Sequence, residues 1–300
     1  MADTKKAPAP MVNLGQHSWH DFLETAKGVL TGKRTRGSAT ESTSHESAGF
    51  SGCNSFQDAL RMATEGWQDV AAAMTKSLDA LPPALEVLPD WQLDVGGAFP
   101  CVPALVAGEP ECVWRMNDNI RATRRLTLIV PHSYNCMVAA TSAQRYAKGV
   151  AALVRSMEGS GIDVQVVAFN TNRSASDPTG ANYCYAVTVR EFGEPLDLAK
   201  VAFAFHSAML RRIGFAWREC TKAALPIGSG NYGYTQPNTL ANVHAVCGDD
   251  IGAVCMLPGV AEIESDYLRH ESKLPDLIAH FAKLSTTVID ALNAQVGGAL

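Results

Sequence analysis

The feature that most narrows the fold is a strand–helix–strand unit between Leu126 and Phe169. Leu126-Thr-Leu-Ile-Val130 is an unbroken β-rich run, which suits a central strand covered on both faces. After the loop PHSYNCMVAAT, Ser142 opens an amphipathic helix. Ala143, Tyr146, Ala147, Val150, Leu153, Val154 and Met157 share one side, and Arg145, Lys148, Arg155 and Glu158 share the other. Gly159-Ser-Gly161 ends the helix, and IDVQVVAF (162–169) is the next strand. Such units join right-handedly into a sheet with helices on its faces. The alternation continues with a strand at Tyr183–Val189, able to pair with the preceding one, and a long apolar helix, LDLAKVAFAFHSAMLRRIGFAWREC (196–220). A strand at Ile251–Leu257 and a last helix at Leu274–Leu292 follow. The expected fold class is therefore α/β: three layers, a mostly parallel central sheet with helices on both faces, and an N-terminal helical extension.

Patterning divides the rest of the chain. Residues 1–48 are expected to be a flexible arm with one short helix, Ser18–Leu30, which places Trp19, Phe22, Leu23 and Ala26 on one face. Residues 1–13 and 31–48 have too little apolar content to offset the entropy of ordering. Residues 49–120 form a lead-in packed on the main domain. Ser55 and Asp58 resemble a capping box, and Phe56, Leu60, Ala63, Trp67, Val70 and Met74 continue at helical spacing toward Leu81. Gly66 interrupts that helix and Pro82-Pro83 stops it. Residues 84–120, with Val, Trp and Phe between prolines and glycines, suggest edge strands or an irregular wrapping segment. The α/β domain then takes 121–300.

With 47% hydrophobic and 18% charged residues the chain can build a real core. A net charge of −5 gives no overall attraction to phosphate backbones or anionic lipid. The small basic cluster of Lys27, Lys33, Arg34 and Arg36 reads as a solvated connector. No apolar run approaches the roughly 20 residues needed to span a bilayer, and the N-terminus lacks the apolar segment of a secretory signal. The eight cysteines show no CxxC pairing, as expected of reduced thiols in a cytoplasmic protein without a zinc or disulfide framework.

Three stretches could carry chemistry. Gly228-Ser-Gly230-Asn-Tyr-Gly233 fits a dinucleotide-binding spacing but lacks the following acidic residue, and reads as a glycine-rich surface loop. His132, Ser133, Tyr134 and Asn135 follow the first central strand, where open α/β sheets bind ligands. A nucleophile there, Ser133 or Cys136, would need a base and an orienting acid; His206, His244 and Asp249 exist, but no spacing ties them together. Arg211, Arg212 and Arg218 interleave with Phe215 and Trp217, as cations and rings do at single-strand nucleic-acid sites. The simpler expectation is a helix end whose basic residues suit the dipole. Trp19 and Trp67 are candidate anchors for a protein partner.

The order LTLIV-PHSYN, amphipathic helix, GIDVQVVAF resembles a von Willebrand factor A-like domain, over residues from about 124 to 290. That family runs its first strand into a D-x-S-x-S metal loop. Here Ser133 matches the motif, Pro131 stands in the place of the aspartate and Asn135 in that of the second serine. The stretch corresponding to the family's second loop, Gly193–Asp197, offers Pro195 or Leu196 in place of a threonine. The resemblance implies a degenerate member with no metal and no cofactor, its sheet-top surface kept for a protein partner or for self-assembly. The FSGCNSFQDALRMATEGW lead-in also looks like uncharacterised phage and plasmid proteins. The expected role is thus a non-enzymatic binding or structural module, set against a hydrolase-like enzyme using the 131–136 loop or a single-strand nucleic-acid binder.

Overall fold

A computed structural model describes residues 11–32, 45–68, 91–96, 99–116, 125–159, 161–173, 182–221, 234–236, 238–249, 251–263 and 265–297. The chain opens with strand β1 (Met11–Ser18) and helix α1 (Trp19–Ala26), continued by a 3-10 turn at Lys27–Thr31. Helices α2 (His45–Ser51) and α3 (Phe56–Glu65) follow. A small unit comprises β2 (Trp91–Asp94), β3 (Phe99–Pro100), α4 (Val102–Ala107) and β4 (Val113–Met116). The central elements are β5 (Arg125–Pro131), α5 (Ala140–Gly159), β6 (Asp163–Arg173) and β7 (Asn182–Arg190). After them come α6 (Leu198–Ala204), a π-helical turn (Met209–Gly214) and α7 (Phe215–Cys220). The chain closes with β8 (Tyr234–Thr235), α8 (Leu240–Cys247), β9 (Val254–Met256), α9 (Ser265–Arg269) and α10 (Leu274–Gly297).

The main sheet has the order β1-β7-β6-β5-β9, with β8 on β6. β5 lies parallel to β6 and β9, β1 lies parallel to β7, and β6 meets β7 and β8 antiparallel. Period-two alternation along buried strands sorts the side chains into two cores. Leu126, Leu128 and Val130 of β5 face α1, α3, α5, α6 and α10. Ile129, with Val167, Phe169, Cys184 and Ala186, faces Val243 and Val246 of α8. Helices on both faces of a mostly parallel sheet make this the three-layer α/β fold expected.

α5 forms because its apolar positions recur at helical spacing, and it is buried on most sides: Ala143, Tyr146, Ala147, Val150, Leu153, Val154 and Met157 are fully covered. At the foot of the sheet the buried Arg190 pairs with Glu158 at 2.7 Å and Asp163 at 3.7 Å, fastening the end of α5 to β6 and β7. α3 begins at the expected cap, Ser55 Oγ accepting the Asp58 N–H at 3.0 Å, and stops at Gly66 with φ +81°. There Trp67 N–H donates to the Ala199 carbonyl at 3.0 Å. The expected continuation toward Leu81 lies outside the described residues.

Several expectations need correction. Residues 11–13 are part of the sheet and not of a free arm: β1 covers the edge that β7, buried along nearly its whole length, would otherwise leave open. The long apolar helix is broken into three pieces. His206 Nδ1 accepts the Ala208 N–H at 3.0 Å, taking a donor that a continuous helix would give to the carbonyl four residues back. The strand over 251–257 shortens to Val254–Met256, and α8 is a helix in a stretch to which the sequence pattern assigns no element. Trp19 and Trp67 are internal anchors: Trp19 donates to the Ala63 carbonyl at 3.3 Å and packs edge-on against Phe203, and Trp67 lies against the His206 ring at 4.4 Å. Among the described residues no helix is long and apolar enough to cross a membrane.

Candidate functional site

The candidate loop leaves β5 at its carboxyl end. Pro131 still pairs with Phe169, and the His132 N–H donates to the Phe169 carbonyl at 2.7 Å, so the chain stays strand-like beyond the last apolar residue. β6 runs on beside it as Asn170-Thr171-Asn172. Asn170 Nδ2 donates to the His132 carbonyl at 2.8 Å, Asn172 Nδ2 donates to Asn170 Oδ1, and Thr171 Oγ donates to Asn238 Oδ1 at 2.9 Å.

His132, Ser133 and Tyr134, expected as an exposed surface, are instead 5–6% exposed. The reason is the π-helical turn, which brings Arg211 over them. Its guanidinium donates to the carbonyls of Asn135 (3.0 Å), Val138 (2.7 Å) and Phe50 (2.5 Å), and it stacks 5.0 Å from the Tyr134 ring and 4.0 Å from that of Phe50. One cation thereby ties α2, the β5–α5 loop and the π-turn together. Beyond the clamp the tip is open: Asn135, Cys136 and Met137 are exposed, Met137 by 86%.

Burial sets the electrostatics. His132 packs between the rings of Tyr134 and Phe205, and desolvation pulls its pKa down to about 3, with the charges of His206 and Arg211 acting the same way. His206 is lowered to about 4 by burial alone. Since its Nδ1 accepts a backbone N–H, its Nε2 carries the proton. The Gln144 side-chain nitrogen lies 2.9 Å from that Nε2. Burial raises the Tyr134 hydroxyl and lowers Arg211. His132 Nε2, Ser133 Oγ and Tyr134 Oη are buried without a hydrogen-bond partner among the described residues. His132 and Asn170 line a cavity of about 10 Å³, near the space of one water.

Chemically, this is a fixed loop base with an open tip. No hydrogen bond joins Ser133 to His206, His244 or Asp249 among the described residues. His244 and Asp249 meet each other, Nδ1 to Oδ1 3.4 Å, at the exposed end of α8. The three arginines are not an exposed basic face. Arg211 is the clamp, Arg212 Nε donates to Ser51 Oγ at 3.2 Å, and Arg218 is buried close enough to Tyr185 to act on its hydroxyl. The glycine pattern at 228–233 lies outside the described residues. Among the described residues no three His, Cys, Asp or Glu side chains are grouped to hold a metal ion.

A second surface escaped the sequence reading. β2, β4 and β3 form their own three-stranded sheet, and α4 has no buried residue. Val102, Leu105 and Val106 share one face of α4, and all three are more than half exposed, Val106 by 80%. Val95 and Trp114 are exposed beside them in sequence and ladder, and none of the described side chains of 91–116 joins either core cluster. The signal was the apolar run between Pro100 and Gly108, too short to be read as a helix.

The profile of one protein family, a domain of unknown function (DUF7192), matches residues 5–267. No curated protein and no solved structure matches the chain.

Proposed function

The chain belongs to the DUF7192 family, a domain of unknown function, and we propose from its geometry that it is a non-enzymatic assembly module which contacts a second copy of itself through the 91–116 arm. The observation that carries this reading is the apolar stripe of Val102, Leu105 and Val106, exposed on a helix with no buried face. A small sheet of short strands is marginal alone in water, and covering the stripe would supply the burial it lacks. An aliphatic face fits its own copy without charge matching, so it suits an isologous contact. The nearby Arg115 is already paired with Asp94 at 3.1 Å and calls for no acidic partner.

The same reading takes the chain to be a degenerate von Willebrand factor A-like module of a phage or mobile element, acting in the host cytoplasm. Support comes from the strand–loop–helix–strand unit at β5, α5 and β6, and from Pro131 standing in the place of a charged ligand. The buried Ser133 hydroxyl with no base bonded to it weighs against a hydrolase, and the buried Arg211, Arg212 and Arg218 weigh against nucleic acid.

Sedimentation equilibrium tests the proposal. The parent chain should sediment at a multiple of its 32.0 kDa mass, and Leu105→Glu/Val106→Glu should sediment at 32.0 kDa with unchanged circular dichroism. Monomeric parent protein at tens of micromolar, or assembly unaffected by the double substitution, would overturn it.

A further inference from the structure

Of the eight cysteines, two are brought face to face by the small sheet, although they are eleven positions apart in sequence. β3 pairs antiparallel with β4 in the register Phe99↔Trp114 and Pro100↔Val113, so the next rung sets Cys101 opposite Cys112. The rung is made: the Cys101 N–H donates to the Cys112 carbonyl at 2.7 Å, and Cys101 keeps extended dihedrals (φ −86°, ψ 98°) before α4 begins. Directly opposed residues of an antiparallel pair project on the same side of the sheet. Their Cα atoms stand about 5.5 Å apart when hydrogen-bonded, inside the 4.4–6.8 Å range that a disulfide spans. Both are free and partly exposed, so a soluble reagent can reach them.

We infer that Cys101 and Cys112 are a redox-active pair that closes to an intramolecular disulfide under mild thiol–disulfide exchange. The co-reactant is a low-molecular-weight disulfide such as oxidised glutathione. One cysteine thiolate attacks it, forming a mixed disulfide and releasing one glutathione thiolate. The second cysteine thiolate attacks the protein sulfur of that mixed disulfide, closing the 101–112 bond and releasing the second glutathione thiolate. The two protein thiols lose two protons and two electrons, and the reagent gains both as two thiols. The closed loop contains all of α4, so oxidation would fix that helix against β3 and β4. Loop closure by a disulfide stabilises chiefly by constraining the open chain, which suits a unit with little core of its own. The inference does not depend on the assembly proposal, because the bond is read by mass whatever the arm contacts.

The test uses the full reduced chain incubated without denaturant with oxidised glutathione, then alkylated and digested. The expected product is a cross-linked peptide pair joining Cys101 to Cys112 with no glutathione retained on either. The exposed Cys136, on the β5–α5 loop, serves as the internal comparison and should carry only a glutathione adduct. Cys101→Ser should convert Cys112 from cross-linked to adducted, and Cys112→Ser should do the reverse. At the reagent concentration that half-oxidises the pair, any other internal cross-link should be at least tenfold less abundant. Stable adducts on both Cys101 and Cys112, cross-links to other cysteines in preference, or thiols that remain reduced while Cys136 reacts would each overturn the inference.

Discussion

At neutral pH the His132 imidazole is uncharged, because desolvation holds its pKa near 3 in the folded chain against about 6.5 unfolded. A depressed histidine contributes stability above its unfolded pKa and loses it as pH falls through the window from about 6.5 to about 3, since the unfolded state then binds the proton. At pH 5 the loss from this one residue is about 2 kcal/mol. His206, lowered to about 4, acts in the same direction over a similar window. His132→Phe should therefore keep near-parental stability at pH 7, filling the same slot between Tyr134 and Phe205, and should lose about 2 kcal/mol less than the parent between pH 7 and pH 5. Urea unfolding at the two pH values measures it; equal losses in parent and variant would contradict the buried, neutral assignment. The sequence places His132, Ser133, Tyr134 and Asn135 after a central strand but does not reveal the burial of the first three. That burial comes from Arg211, seventy-seven positions from Tyr134, whose carbonyl partners are backbone and leave no trace in residue type.

At the scale of elements, α5, β5, β6 and β7 were legible because their periodicities are local: a helical stripe between glycines and apolar runs flanked by turns. Val150 is wholly buried in that stripe, and Val150→Asp should abolish a cooperative thermal transition, since an unpaired carboxylate there costs several kcal/mol against a total of roughly 5–15. A soluble variant with parental melting would mean that α5 does not pack as described. Gly66 marks a different constraint. At φ +81° and ψ 169° only glycine is comfortable, and a Cβ would lie 2.4 Å from the Ala199 Cβ. Gly66→Ala should lower stability by about 3 kcal/mol, from backbone strain and overpacking together, with α3 displaced from α6. A urea midpoint within error of the parent would rule out that close approach. What the sequence hid at this scale was the break in the 196–220 helix. Its cause is the hydrogen bond that the Ala208 N–H donates to His206 Nδ1, and the hydrophobic pattern runs straight through it.

For the whole molecule, the sheet is held by contacts distant in sequence, and these were the least readable. β1 joins β7 across roughly 170 positions, and Gln16 Nε2 donates to Thr188 Oγ at 2.8 Å. Its residues are half-exposed at an edge, so composition alone placed part of β1 in a free arm. Removing residues 1–18 should expose the β7 edge and make the protein aggregate on concentration; a truncated chain as soluble and as stable as the parent would deny β1 that role. The 91–116 unit is the counterpart, an assembly of short elements whose described side chains join neither core cluster and whose aliphatic stripe is exposed. Hydrogen–deuterium exchange across a hundredfold range of protein concentration tests its role most directly. Backbone amides of 99–116 should exchange more slowly as concentration rises, while α5 and β6 stay unchanged. Protection that is independent of concentration, or that grows at the 131–138 loop in place of the arm, would contradict the assembly role proposed for this chain.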